Sequence, residues 1–157
     1  MGEPLKNKHI SPFNSHLEIG LRVLSILTEA FPNKYSIRQL AVLDYLLVHS
    51  DDTLGGPNGL HPKIPQRSGE YFIRKNELDG VLKLLKSKYL INEYYYKDIG
   101  ILFSATESSI VFLDCLKSNY SKELRSYINN WLIKNFGKMN ENQLNNIMLE
   151  NIKNRME

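Results

Sequence analysis

One junction limits most what this chain can fold into: a helical segment ending Leu85-Lys86-Ser87-Lys88-Tyr89-Leu90-Ile91 that gives way at once to an aromatic stretch. From Asn76 to Lys88, Leu78, Val81, Leu82 and Leu85 recur at helical spacing, while Lys75, Asp79, Lys83 and Lys86 take the other face. From Tyr89 to Phe103 the composition turns aromatic and β-branched. It divides at Lys97-Asp98-Ile99-Gly100 into two arms, Leu90–Tyr96 and Ile101–Ser104, which predicts a β-hairpin. Two strands joined by a tight turn give no parallel sheet, so the hairpin must sit among helices.

The rest of the chain supplies those helices. Ser15 with Glu18 forms a capping-box pattern ahead of a stripe of Leu17, Leu21, Leu24, Leu27 and Thr28, and Pro32-Asn33 closes it after Phe31. Ser36 with Gln39 opens a second helix, Ile37 to His49, apolar on most sides and therefore expected at the centre. Asp51 to Pro65 reads as a loop, with Gly55-Gly56-Pro57-Asn58-Gly59 and then Pro62 and Pro65. Gly69 to Ile73 suits either a helix start or a short strand. After the hairpin, Ser104 with Glu107 predicts a capped helix carrying Ile110, Val111, Leu113 and Leu116. A further helix runs from about Ser121 to Phe136 with Leu124, Tyr127, Ile128, Trp131 and Leu132, ended by Gly137 as a left-handed cap. Leu144, Met148, Ile152 and Met156 then stand four apart in the last stretch. The expected fold is mainly α with a small β-hairpin: a winged-helix-like domain over residues 13–119, an N-terminal arm at 1–12 and a C-terminal helical extension at 120–157.

Composition narrows the function classes. With 42% hydrophobic and 24% charged residues the chain has the balance of a folded protein, and no apolar run reaches the roughly 20 residues a membrane span needs. The single Cys115 has no partner for an internal disulfide, and with no signal-peptide pattern at the N-terminus the expected home is the cytoplasm. A net charge of +3 is a weak pull towards nucleic acid. Gly55-Gly56-Pro57-Asn58-Gly59 lacks the Lys and following helix of a phosphate-binding loop, and no Gly-x-Ser-x-Gly elbow occurs. No nucleophile–base pair stands out, so neither catalysis nor a cofactor is expected.

Several residues carry two readings. Asp44 in the central helix calls for a cationic partner, Arg22 or Arg38, rather than a catalytic role. His49, Asp51, Asp52 and His61 do not follow a metal-binding spacing. His61, Arg67 and Glu70 lie in or beside the Pro-rich loop, where they either form part of a partner surface or pin the loop to the helices. Arg74, Lys75, Lys83, Lys86 and Lys88 form a basic face; the readings are DNA-backbone contact or a solvated face diluted by Glu77, Asp79 and Glu93. The solvated face, or non-specific backbone contact, is favoured over base reading. Alternation puts Tyr94 and Tyr96 on one face of the wing and Tyr95 on the other, a weak basis for base stacking. Cys115, among Phe112, Leu113 and Leu116, is expected to be an inert packing residue. Leu144, Met148 and Ile152 either fold back near Trp131 or dock onto a partner.

Three strings are more distinctive than periodicity requires: Phe13-Asn14-Ser15-His16-Leu17-Glu18-Ile19-Gly20-Leu21-Arg22, Leu43-Asp44-Tyr45-Leu46-Leu47-Val48-His49-Ser50, and Leu60-His61-Pro62 with Arg67-Ser68-Gly69-Glu70. In this order the chain resembles, from Pro12 to Asn119, the middle component of bacterial ABC-three-component systems, the family that includes the small subunit of Lamassu antiphage defence. His16 departs from the Pro expected after Asn-Ser. The resemblance implies an accessory subunit that links an SMC-like coiled-coil ATPase to an effector nuclease, reaching DNA through the complex. The alternative is a stand-alone winged-helix DNA-binding regulator, which needs a dimer and a basic recognition helix.

Overall fold

Helix α2 (Ile37–Val48) is the element around which the others pack, and its composition explains why. Every residue from Leu40 to Val48 is buried, which a helix achieves only when neighbours cover all its sides. The computed structural model describes residues 16–50 and 67–156, with side chains over 16–50 and 75–153. Ser36 and Gln39 form the predicted capping box: Ser36 N–H donates to Gln39 Oε1 (2.9 Å) and Gln39 N–H to Ser36 Oγ (3.2 Å). Helix α1 (His16–Glu29) lies against α2 and buries Ile19, Val23, Leu24, Ile26 and Leu27. Ser15 and the loop expected over Asp51 to Pro65 lie outside the described residues.

Helix α3 is one element from Arg67 to Ser87, so Gly69 to Ile73 belongs to it and not to a strand. Leu78, Val81, Leu82 and Leu85 are its buried stripe. Its end explains the abrupt change of period. Leu90 N–H donates to the Leu85 carbonyl (3.1 Å) and Tyr89 N–H to that of Lys86 (3.0 Å), the paired bonds of a Schellman cap. Tyr89 takes the left-handed position, at φ 60°, where glycine is the usual residue. Because Tyr89 is exposed and a side chain is strained there, Tyr89→Gly should raise stability by about 0.5–1 kcal/mol, read as a higher urea midpoint at unchanged slope.

Strands β1 (Ile91–Tyr96) and β2 (Gly100–Ala105) pair antiparallel, in register from Ile91↔Ala105 to Tyr96↔Gly100. Gly100 at φ 94° makes the turn back. Tyr35, between α1 and α2, adds a rung to the far side of β2: Tyr35 N–H donates to Phe103 O (3.0 Å) and Phe103 N–H to Tyr35 O (2.8 Å).

Because β2 extends to Ala105, Ser104 is a strand residue and cannot cap the next helix, contrary to the spacing with Glu107. Thr106 stands at the N-cap instead, and its hydroxyl donates to the Tyr89 carbonyl (2.8 Å), tying the helix start to the end of α3. Helix α4 (Glu107–Asp114) buries only Ser109 and Leu113, leaving Ile110 and Val111 exposed rather than in the expected core stripe. Cys115 is also exposed, at the C-cap of α4, and not a packing residue.

Helix α5 (Asn119–Tyr127) continues through a π turn at Ile128–Leu132 into α6 (Ile133–Phe136). The following Gly137 is right-handed, at φ −65°, so it is not the left-handed cap its position suggests. The glycine is needed for a close approach: a Cβ there would come 2.6 Å from the Ile133 carbonyl oxygen. Tyr35 donates its hydroxyl to the Gly137 carbonyl at 2.8 Å.

Helix α7 (Glu141–Met156) starts from a reciprocal Asn140–Gln143 cap and folds back on α2, where Ser36 Oγ donates to Glu141 Oε1 at 2.6 Å. One apolar cluster runs from Ile19 to Met148, so the helices after residue 120 share the core of those before it. Among the described residues no helix is long and apolar enough to cross a membrane.

A candidate partner-binding groove

An apolar groove opens where α1, α3 and α4 meet. At Gly20 α1 faces α3, and a Cβ there would make an ordinary contact 3.6 Å from Val81 Cγ1. The first turn of α1 outruns the cover this packing provides, so Leu17 stands 83% exposed. On α3, Leu84 lies one position off the buried stripe and is 49% exposed. On α4, the run Ile110-Val111-Phe112 places apolar side chains around more than one face, and Phe112 remains 45% exposed. Between them opens a groove of about 580 Å³, floored by Leu21, Leu24, Val81, Leu85 and Leu90, with Leu116 at the side. The polar side chains that line it are His16 and Lys88. Apolar depressions of this kind are where proteins commonly meet ligands or other surfaces.

Beneath α1 lies a buried polar network. Arg22, fully buried, donates from Nε to Asp44 Oδ1 (2.6 Å) and from Nη2 to Asp44 Oδ2 (3.2 Å), and also pairs with Glu18 at 3.1 Å. This selects Arg22 over the exposed Arg38 as the partner of Asp44. Burial alone lowers the Arg22 pKa; the Asp44 charge and hydrogen bonds, with Glu18, more than reverse this and drive it up. Tyr120 donates its hydroxyl to Glu18 (2.9 Å), and burial followed by that bond raises the phenol above its usual range. Near the other end of α1, Arg125 bridges Glu29 (2.7 Å) and Asp114 (2.9 Å).

The residues singled out from the sequence fall in different places. His61 lies outside the described residues, as do the side chains of Arg67, Glu70 and Arg74, whose backbones belong to α3. On the basic face, Lys83 pairs with Asp79 (3.0 Å) and Lys86 with Glu93, so part of that charge is spent within the chain; Lys75 is half-buried and Lys88 is exposed. In the hairpin, Tyr94 and Tyr96 share a face as alternation requires, and Lys34 occupies it. Its ammonium lies 4.2 Å from the Tyr94 ring centre and donates to the Tyr96 hydroxyl at 2.8 Å, which raises the amine's pKa. Leu144 and Met148 are buried in the chain's own core and Ile152 is half-buried, so the tail does not present Leu144 and Met148 to a partner. Among the described residues no group of three or more His, Cys, Asp or Glu is gathered as a metal ion would need.

Periodicity alone misses the groove, since Leu17 reads as part of a buried stripe. The usable signal was excess: Leu84 beside Leu85, and three consecutive apolar residues at 110–112, exceed what one helix face can bury.

Fold and surface together define a class: a small chain whose described residues are mainly helical, with a β-hairpin and an open apolar groove. The chain belongs to the ABC-three component (ABC-3C) system Middle Component 2 family, whose model matches residues 12–157. It is thus an accessory middle component of a multi-component system. No curated protein and no solved structure matches it.

Proposed function

We propose that this chain is a non-catalytic adaptor that joins an SMC-like coiled-coil ATPase to an effector nuclease in a Lamassu-type defence complex acting on phage or plasmid DNA. The observation that carries this reading is the family match across residues 12–157, which puts the chain inside a multi-component system. The groove between α1, α3 and α4 supports it, because an adaptor works by contact and needs an apolar surface of its own. We read the fold as winged-helix-like: α1, the Tyr35 rung, α2, α3 and the hairpin follow one another in that order, with the rung beside β2. A regulator reading DNA by itself would use the polar face of α3, where Lys83 and Lys86 are already paired with carboxylates.

A tagged pull-down from the native cell, nuclease-treated and read by mass spectrometry, tests the proposal. Recovery of a coiled-coil ATPase together with a nuclease is the expected result. Recovery of the chain alone, with salt-sensitive DNA binding in a follow-up titration, would instead establish the regulator.

A further inference from the structure

We infer that the groove takes an amphipathic α-helix of a partner protein, with its apolar stripe on Leu17, Leu84 and Phe112 and carboxylates along the flank that meets Lys88. The inference rests on the adaptor reading and adds the chemistry of what is bound.

The groove dictates a helix through what it lacks. Its described walls are side chains of α1, α3 and α4 together with Lys88, Leu90 and Leu116, whose N–H groups donate to the turn before them, and its described polar groups are the imidazole of His16 and the ammonium of Lys88. An extended peptide laid there would bury N–H and C=O groups without partners, each costing as much as a lost hydrogen bond. A helix bonds its own backbone and presents only side chains, three or four residues apart, to an apolar floor. Lys88 brings a positive charge to the groove, so the flanking residues of the occupant that meet it are Asp or Glu. The chain's own first fifteen residues suit this poorly, since they carry Lys6, Lys8 and His9 against the single Glu3.

The test is a photo-crosslinker, p-benzoylphenylalanine, placed at position 84 of the full chain in its native cell, with the adduct mapped by mass spectrometry. The expected adduct is on a segment of another polypeptide with apolar residues at helical spacing and acidic residues beside them. Lys88→Glu should lower its yield about tenfold, and replacing the partner's facing carboxylate by Lys should restore it. Leu84→Asp and, independently, Leu17→Asp should each weaken capture of that partner about tenfold or more while leaving the thermal midpoint unchanged, since both leucines are exposed. Adducts on residues 1–15, on a second isotope-labelled copy, or on a segment without this pattern would overturn the inference, as would no adduct above a control at Tyr95. If the pull-down still yields ATPase and nuclease in those cases, the occupant is wrong and the adaptor stands. If the pull-down yields neither, the adaptor reading falls as well.

Discussion

Asp44→Ala is expected to cost about 3–5 kcal/mol of folding stability, a large part of the roughly 5–15 kcal/mol a domain commands. The size follows from what is left behind. Arg22 is fully buried and remains charged, and removing Asp44 takes away the two hydrogen bonds that its carboxylate accepts from the guanidinium. Glu18 stays at 3.1 Å, but it already accepts from Tyr120 and covers a different guanidinium nitrogen. The double variant Arg22→Met/Asp44→Leu should recover much of the loss, because apolar side chains of similar volume remove the stranded charge along with the pair. Urea unfolding followed by circular dichroism reads both. A single variant that loses under 1 kcal/mol would show that water or a rearranged Glu18 reaches Arg22.

Truncation after Gly137 is expected to abolish the cooperative thermal transition. Helix α7 buries Leu144 and Met148 against α2, worth about 3–6 kcal/mol for those two side chains at ordinary transfer values. Its loss also strips one side from a helix buried throughout Leu40 to Val48, and removes the carboxylate that accepts from Ser36. Exposing α2 leaves a surface that aggregates or binds dye as a partly folded state does. Retention of a sharp transition, together with loss of a binding partner in the pull-down, would mean that α7 is a docking element resting on the domain. Leu144→Ala, expected to lose about 2–5 kcal/mol, separates packing from mere length.

How much of this was legible in the sequence depends on the range of the interaction. Ser36 and Gln39 announce their capping box because the bonding groups are three residues apart. The same rule applied to Ser104 and Glu107 fails, since pairing of Ser104 with Asn92 across the hairpin carries β2 to Ala105 and moves the helix start to Thr106. The left-handed residue of the α3 cap is Tyr89, at a position where composition points to glycine, and Gly137, which composition marks as such a cap, is right-handed. In both cases tertiary contacts outweigh a local preference of about 1 kcal/mol.

By itself the sequence determined the alternation of elements: helices where apolar residues recur every three or four positions, a hairpin where β-branched and aromatic residues flank Lys97-Asp98-Ile99-Gly100, and a buried Asp44 that requires a cation. These depend on spacing along one chain segment and on the cost of an unpaired charge, both readable without neighbours. Only the tertiary structure decided that Arg22 and not Arg38 answers Asp44, that α7 covers α2, and that Leu17, Leu84 and Phe112 stay open at the meeting of three helices. An apolar stripe states which face seeks cover. Whether cover arrives depends on where the partner helices begin, how they cross, and which residues lie past the contact.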